Sequence, residues 1–170
     1  MFDNGYYKLS DPDVFVYLKD IDGWEWLNRK DQGLRLIKRT AEIQQTIDNT
    51  QKLLAEKYVK HLDPNYQLGN DCEIVNGMDD ATLSWHNDNL EGYNLAILLY
   101  LDTLDSDTGG AVQFRNIDTQ VVTGSFYPSQ YDVSFMNHNK KFEHVVTQLK
   151  MDLPRRVATF NYIISESITG

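Results

Sequence analysis

Cysteine is nearly missing from this chain: Cys72 is the only one in 170 residues, so no internal disulfide can form and a reducing compartment is the default. Long hydrophobic runs are missing too. The longest, Leu95-Ala96-Ile97-Leu98-Leu99-Tyr100-Leu101, falls far short of a membrane span. Met1-Phe2-Asp3-Asn4 has neither the basic start nor the apolar stretch of a signal peptide. A cytoplasmic location without a membrane partner is therefore expected. Basic charge is scarce, with 16 Lys and Arg against 25 Asp and Glu and a net charge of −9. A protein that tracks a nucleic-acid backbone needs a cationic stripe to release counterions, so nucleic acid is not an expected partner. Proline occurs only four times, and 41% hydrophobic residues exclude disorder as a description of the whole chain.

The length suits one domain, 1–170, with a sizeable core. Its front, 1–64, reads as helical support. Residues 14–18 are a short apolar run that suits a strand. Between 33 and 62 there is no proline, and Leu36, Ile43, Ile47, Leu54, Tyr58 and Leu62 recur in steps of seven and four, one face of a long helix. Asp63-Pro64 ends it. Beyond Pro64 the period changes to two. Strands are expected at 71–76, 82–86, 93–102, 110–115, 119–122, 131–136, 143–148 and 155–164, separated by Asn76-Gly77, Glu91-Gly92, Gly109-Gly110, Gly124 and Pro128. Short strands at this spacing predict a mostly β fold, a double-sheet barrel over 65–170 with the front helix packed outside.

There are four histidines, and two of them open a His-x-Asp motif. Chance supplies roughly 0.4 such motifs at this composition, so neither is informative alone. His61-Leu62-Asp63 lies at the end of the helix, where residues two apart do not share a face. It serves as a decoy. His86-Asn87-Asp88 ends an expected strand, where residues two apart point the same way and can reach one ion. His144, in Phe142-Glu143-His144-Val145-Val146, is placed to supply a third ligand from a distant strand. Two His and one carboxylate on one face of a metal form the usual non-haem iron(II) oxygenase site. His138, in Asn137-His138-Asn139-Lys140-Lys141, reads as a solvated loop residue. Trp85 and Phe160 read as barrel core.

In this order the motifs resemble those of the iron(II)- and 2-oxoglutarate-dependent dioxygenases, in the prolyl 4-hydroxylase-like branch. The resemblance runs from Trp85 to Tyr162, about half the chain. It rests on His86-Asn87-Asp88, a long strand ending Leu99-Tyr100-Leu101-Asp102, the Gly109-Gly110 turn, the distal His144 and then Arg155. It implies a double-stranded β-helix of the jelly-roll or cupin kind, with 65–170 as the catalytic core. It implies iron(II) held by His86, Asp88 and His144, with O2 and 2-oxoglutarate as cosubstrates; L-ascorbate is a further cofactor of such enzymes. Arg155 would anchor the far carboxylate of 2-oxoglutarate, and Tyr100 and Thr159 would donate hydrogen bonds to it. The neighbouring Arg156 would face away. Asp88 stands where related halogenases have a small residue, which favours hydroxylation. The expected substrate is a prolyl or other residue in a peptide or protein. A free amino acid or small metabolite is the alternative, and a non-catalytic metal- or ligand-binding module is the alternative of another class.

Overall fold

A computed structural model describes residues 3–29, 34–77, 84–88, 92–138 and 141–165. The chain opens with strand β1 (Tyr6–Ser10), which adds to the edge of a large sheet. The expected strand at 14–18 is instead a turn of 3-10 helix, Pro12–Phe15. The reason is local: the Asp11 side chain accepts from the Asp13 N–H and Pro12 occupies the first helical position, both helix-start signals. The apolar residues of that run still go inside, since Val14, Phe15 and Leu18 are buried.

The long helix expected over 33–62 is shorter at its front. β2 (Trp26–Arg29) and β3 (Leu34–Ile37) form a hairpin-like pair, and β3 also pairs with β5 (Glu73–Gly77). The helix α1 (Ala41–Leu54) starts only after Thr40, whose hydroxyl caps the Ile43 N–H. It continues through a π turn, Ala55–Val59, to Leu62. The seven-residue step from Leu36 to Ile43 thus crosses from strand to helix, a break that periodicity cannot register. Ile43, Ile47 and Leu54 are buried as expected, whereas Leu36 is half-buried on β3. Region 1–64 is accordingly a mixture of strands and helix, not a purely helical support.

After β4 (Gln67–Leu68) and β5 come β6 (Leu95–Tyr100), β7 (Val112–Asn116), β8 (Val122–Phe126), β9 (Asp132–Asn137), β10 (Phe142–Val146) and β11 (Arg155–Ile163). The strand expected at 119–122 lies later, at β8, because the Asn116 side chain accepts from the Asp118 and Thr119 N–H groups and holds a turn there. Of the strand expected at 82–86, residues 82 and 83 lie outside the described residues. The strands form two antiparallel sheets. One has the order β1-β9-β6-β11-β5-β3-β2 with β4 against β11; the other is β10-β7-β8.

The large sheet has one face on α1 and one face toward the small sheet. On the helix side Ile47 and Leu54 join Ile74, Ile97, Leu99, Val133, Phe135, Ala158, Phe160 and Tyr162 in one apolar cluster. Gln51 fastens the helix to the sheet: its Nε2 donates to Gly69 O at 2.8 Å, and Tyr162 Oη donates to Gln51 O at 2.8 Å. Alternation along each strand then sends the other set of side chains between the sheets. Among the described residues no helix is long and apolar enough to cross a membrane.

Candidate active site

The space between the sheets is a cavity of about 520 Å³, and the alternating residues of β6 (Ala96, Leu98, Tyr100) and β11 (Arg155, Val157, Thr159, Asn161) form much of its wall. His86 and His144 face each other across an antiparallel bridge. The His86 N–H donates to His144 O at 3.0 Å, and the His144 N–H donates to His86 O at 2.9 Å. Asn87 Nδ2 reaches across to Phe142 O at 2.8 Å and fixes the segment between His86 and Asp88. Asp88 closes the group: Oδ1 lies 3.6 Å from His86 Nε2 and Oδ2 lies 3.4 Å from His144 Nε2. One ligand atom from each residue lies within 4.8 Å of the others, the spacing a single ion needs.

The protonation states suit a metal. Nδ1 of His86 lies 2.7 Å from Ser84 O, which can only accept, so Nδ1 is the donor there and Nε2 is the nitrogen turned toward Asp88. Burial pushes the pKa of His144 down to about 3, against the opposing pull of Asp88, so this imidazole is neutral at neutral pH. The neutral His144 imidazole, the His86 imidazole and a half-exposed carboxylate are a fitting donor set for iron(II).

Arg155 lines the same cavity and is only 7% exposed. Among the described residues it makes no ion pair. Its Nε reaches Gly110 O at a long 3.5 Å, and burial draws its pKa below the ordinary arginine value. Gly109 and Gly110 both have φ near +76°, and a Cβ on Gly109 would lie 2.3 Å from Gln148 O, so this close turn requires glycine. Tyr100 is fully buried, its hydroxyl 3.1 Å from Ser134 Oγ, and desolvation raises its pKa to about 12. It stays a protonated donor. Thr159 lines the cavity on the same face of β11 as Arg155. Arg156 points the other way, into Asp102 (Nη2–Oδ1 2.6 Å) and Asp22 (Nη1–Oδ1 2.5 Å).

The structure therefore brings together His86, Asp88, His144, Arg155, Tyr100 and Thr159 around one cavity. The decoy stays apart: Asp63 accepts from Ser165 Oγ and from the Asn65 N–H, a turn and a strand-end tie. Phe160 is core, but Trp85 is half-buried with the Arg115 guanidinium 4.3 Å from its ring centre. The expectation for His138 needs correction. It is 4% exposed and lines the cavity, rather than standing in solvent. The polar stretch around it hid this, although continuing the Ser134, Met136 alternation by two residues places it on the inner face.

The sequence matches no protein-family model and no curated relative. Solved structures do match. A 2OG-Fe(II) oxygenase family oxidoreductase from Burkholderia pseudomallei is 12% identical, with TM-score 0.69 over 95% of this chain and 86% of that one. A prolyl hydroxylase from Trichoplax adhaerens, in complex with a hypoxia inducible factor oxygen degradation domain peptide fragment, is 13% identical, with TM-score 0.63 over 98% and 86%. HygX from Streptomyces hygroscopicus, with nickel, 2-oxoglutarate and hygromycin B bound, is 14% identical, with TM-score 0.67 over 96% and 85%. What this chain shares with all three is the architecture, and its fold is the double-stranded β-helix of the 2-oxoglutarate- and iron(II)-dependent oxygenases.

Proposed function

We propose that the protein is an iron(II)- and 2-oxoglutarate-dependent oxygenase that hydroxylates a substrate C–H bond. One observation carries the reading: a His-Asp-His cluster and a buried arginine with no carboxylate partner among the described residues open on one cavity. A buried cation left unpaired is costly, so a site that keeps one is suited to an anionic ligand. His86, Asp88 and His144 would hold the metal. Arg155 would receive the far carboxylate of 2-oxoglutarate, with Tyr100 and Thr159 as hydroxyl donors to it.

The bound iron and cosubstrates supply the oxidising power: substrate, 2-oxoglutarate and O2 give hydroxylated substrate, succinate and CO2. The chain's part is to bind, orient and exclude water. Leu98, Val112, Met136, Val146 and Val157 give the cavity apolar walls that limit solvent. Asp88 keeps a carboxylate where halogenating relatives of the fold have none, so hydroxylation is the expected outcome.

The substrate reading is a residue in a peptide or protein, with proline first, supported by likeness to the peptide-bound prolyl hydroxylase. Likeness to the hygromycin-bound protein supports a small-molecule substrate as the second reading. The test is anaerobic addition of iron(II) and 2-oxoglutarate, followed by visible spectroscopy. A weak charge-transfer band, and succinate on admitting O2, are expected. Binding of metal with neither band nor succinate would leave a non-catalytic module instead. Succinate yield with peptides against free metabolites then separates the two substrate readings.

A further inference from the structure

The inner face of β9 carries Ser134 and Met136 toward the cavity, and His138 follows them one residue past the strand's end. Its backbone N–H donates to Asn94 O at 3.2 Å, which fixes the main chain there. The ring lines the cavity, its centre 6.3 Å from that of His144. Among the described residues neither ring nitrogen has a hydrogen-bond partner, yet no fully buried side-chain nitrogen or oxygen is left unpartnered. The nitrogens of this 4% exposed residue therefore open on the cavity itself. His138 is outside the set of clustered ligand atoms. An imidazole can both donate and accept a hydrogen bond.

The rest of the wall limits what can lie beside it. Arg155 is the only Lys or Arg among the described lining residues, and the proposed function gives it to 2-oxoglutarate. A free amino acid would bring in an α-carboxylate with no further cation among the described lining residues to meet it, which is unfavourable in a half-dry cavity. A residue within a peptide is flanked by neutral amides, which an imidazole can hydrogen-bond. We propose that His138 is a substrate-positioning residue that hydrogen-bonds a backbone amide of a peptide substrate beside the metal ligands, and so selects peptides over free amino acids. This rests on the oxygenase reading above.

The test uses the iron(II)-loaded protein and its His138→Phe and His138→Gln variants with 2-oxoglutarate. Each is given a degenerate pool of short peptides or a pool of free amino acids. Three quantities are read: mass gain of one oxygen atom, succinate formed without substrate, and zinc affinity by calorimetry. The wild-type protein should oxidise the peptide pool and spare the amino acids. His138→Phe should lower peptide product at least about tenfold, the scale of one lost hydrogen bond. Its substrate-free succinate and zinc affinity should stay within about twofold of wild type, and His138→Gln should regain part of the product. Unchanged product in His138→Phe would overturn the proposal. So would an equal fall in succinate or zinc affinity, which would place His138 in the metal or cosubstrate machinery, and so would a peptide pool left untouched. No charge-transfer band, and no succinate from the wild-type protein with or without either pool, would remove the oxygenase reading and this proposal with it. If His138→Phe does not fold by far-ultraviolet circular dichroism, His138→Gln and His138→Ala carry the same comparison.

Discussion

Arg155 and Arg156 are adjacent on β11 and occupy opposite sides of it. Arg156 is fully engaged within the protein: Asp102 accepts from its Nε, its Nη2 and its backbone N–H, and Asp22 accepts from Nη1. Those carboxylates raise its pKa above the ordinary arginine value. Arg155 is more deeply placed, has no carboxylate among the described residues, and has its pKa lowered by burial. One arginine stabilises the fold by matching charges already present. The other is held charged and underused, in a cavity that also presents a ligand cluster. The lesson is that burial without a partner, more than burial or charge alone, separates a ligand-directed side chain from a structural one.

The sharpest way to break this contrast is on the cavity side. Asp88→Ala removes one of the three proposed ligands and should reduce succinate formation by more than about a hundredfold, beyond what outer-shell changes typically cost. Measured turnover with added iron(II) checks it. Arg155→Ala should come next, since removing one partner of a buried pair costs roughly 3–5 kcal/mol. At about 1.4 kcal/mol per tenfold, 2-oxoglutarate binding should weaken by about two to three orders of magnitude in a titration. Arg156→Ala should weaken it less than about tenfold. Its effect should fall on stability instead: losing charged hydrogen bonds worth about 2 kcal/mol would lower Tm by about 4–8 °C. The reverse ranking of the two arginines would overturn the comparison.

A pH series sharpens it further. His138 and His144 are both held below the ordinary histidine range by burial, His144 at about 3. In the unfolded chain each binds a proton below about pH 6.5, whereas in the folded protein His138 takes one up only at lower pH and His144 only near pH 3. The unfolded state therefore holds more protons in that window. Stability of the metal-free protein should be full above about pH 6.5 and fall as pH drops toward 3, by at most about 1.4 kcal/mol per pH unit for each group. Denaturant unfolding between pH 7 and 4 checks the sign. The smallest effect belongs to the His61-Leu62-Asp63 motif: Asp63→Ala should leave succinate formation unchanged. Loss equal to that of Asp88→Ala would mean the wrong pair had been identified.

The strands that build the cavity were legible because their two faces differ. Leu95, Ile97 and Leu99 alternate with cavity residues on β6, and Ala158, Phe160 and Tyr162 alternate with them on β11. The front of the chain was less legible. β2 and β3 are four residues each, too short for a period to emerge, and β3 blended into the helical spacing that follows it. For the site, His86 and Asp88 were identified by their two-residue spacing on extended chain. Arg155 could be chosen over Arg156 only through family resemblance, because alternation defines two faces without saying which is inside. His138 was missed because Asn137, Asn139, Lys140 and Lys141 around it have the composition of a loop.

The sequence by itself determined the β-rich class, the apolar face of α1 from Ile43 to Leu54, and the residue types of a metal site. These are local properties, set by side-chain period and by ligand chemistry. Tertiary structure alone decided that β1, β2 and β3 would extend the large sheet, because strand pairing joins residues far apart in the chain. It decided that His144 would bridge to His86 across a separation of 58 positions, since a backbone bridge depends on how two sheets close. It also decided which arginine lacks a carboxylate and that His138 lies inside. Both depend on which distant side chains arrive at the same place, and no local pattern encodes that.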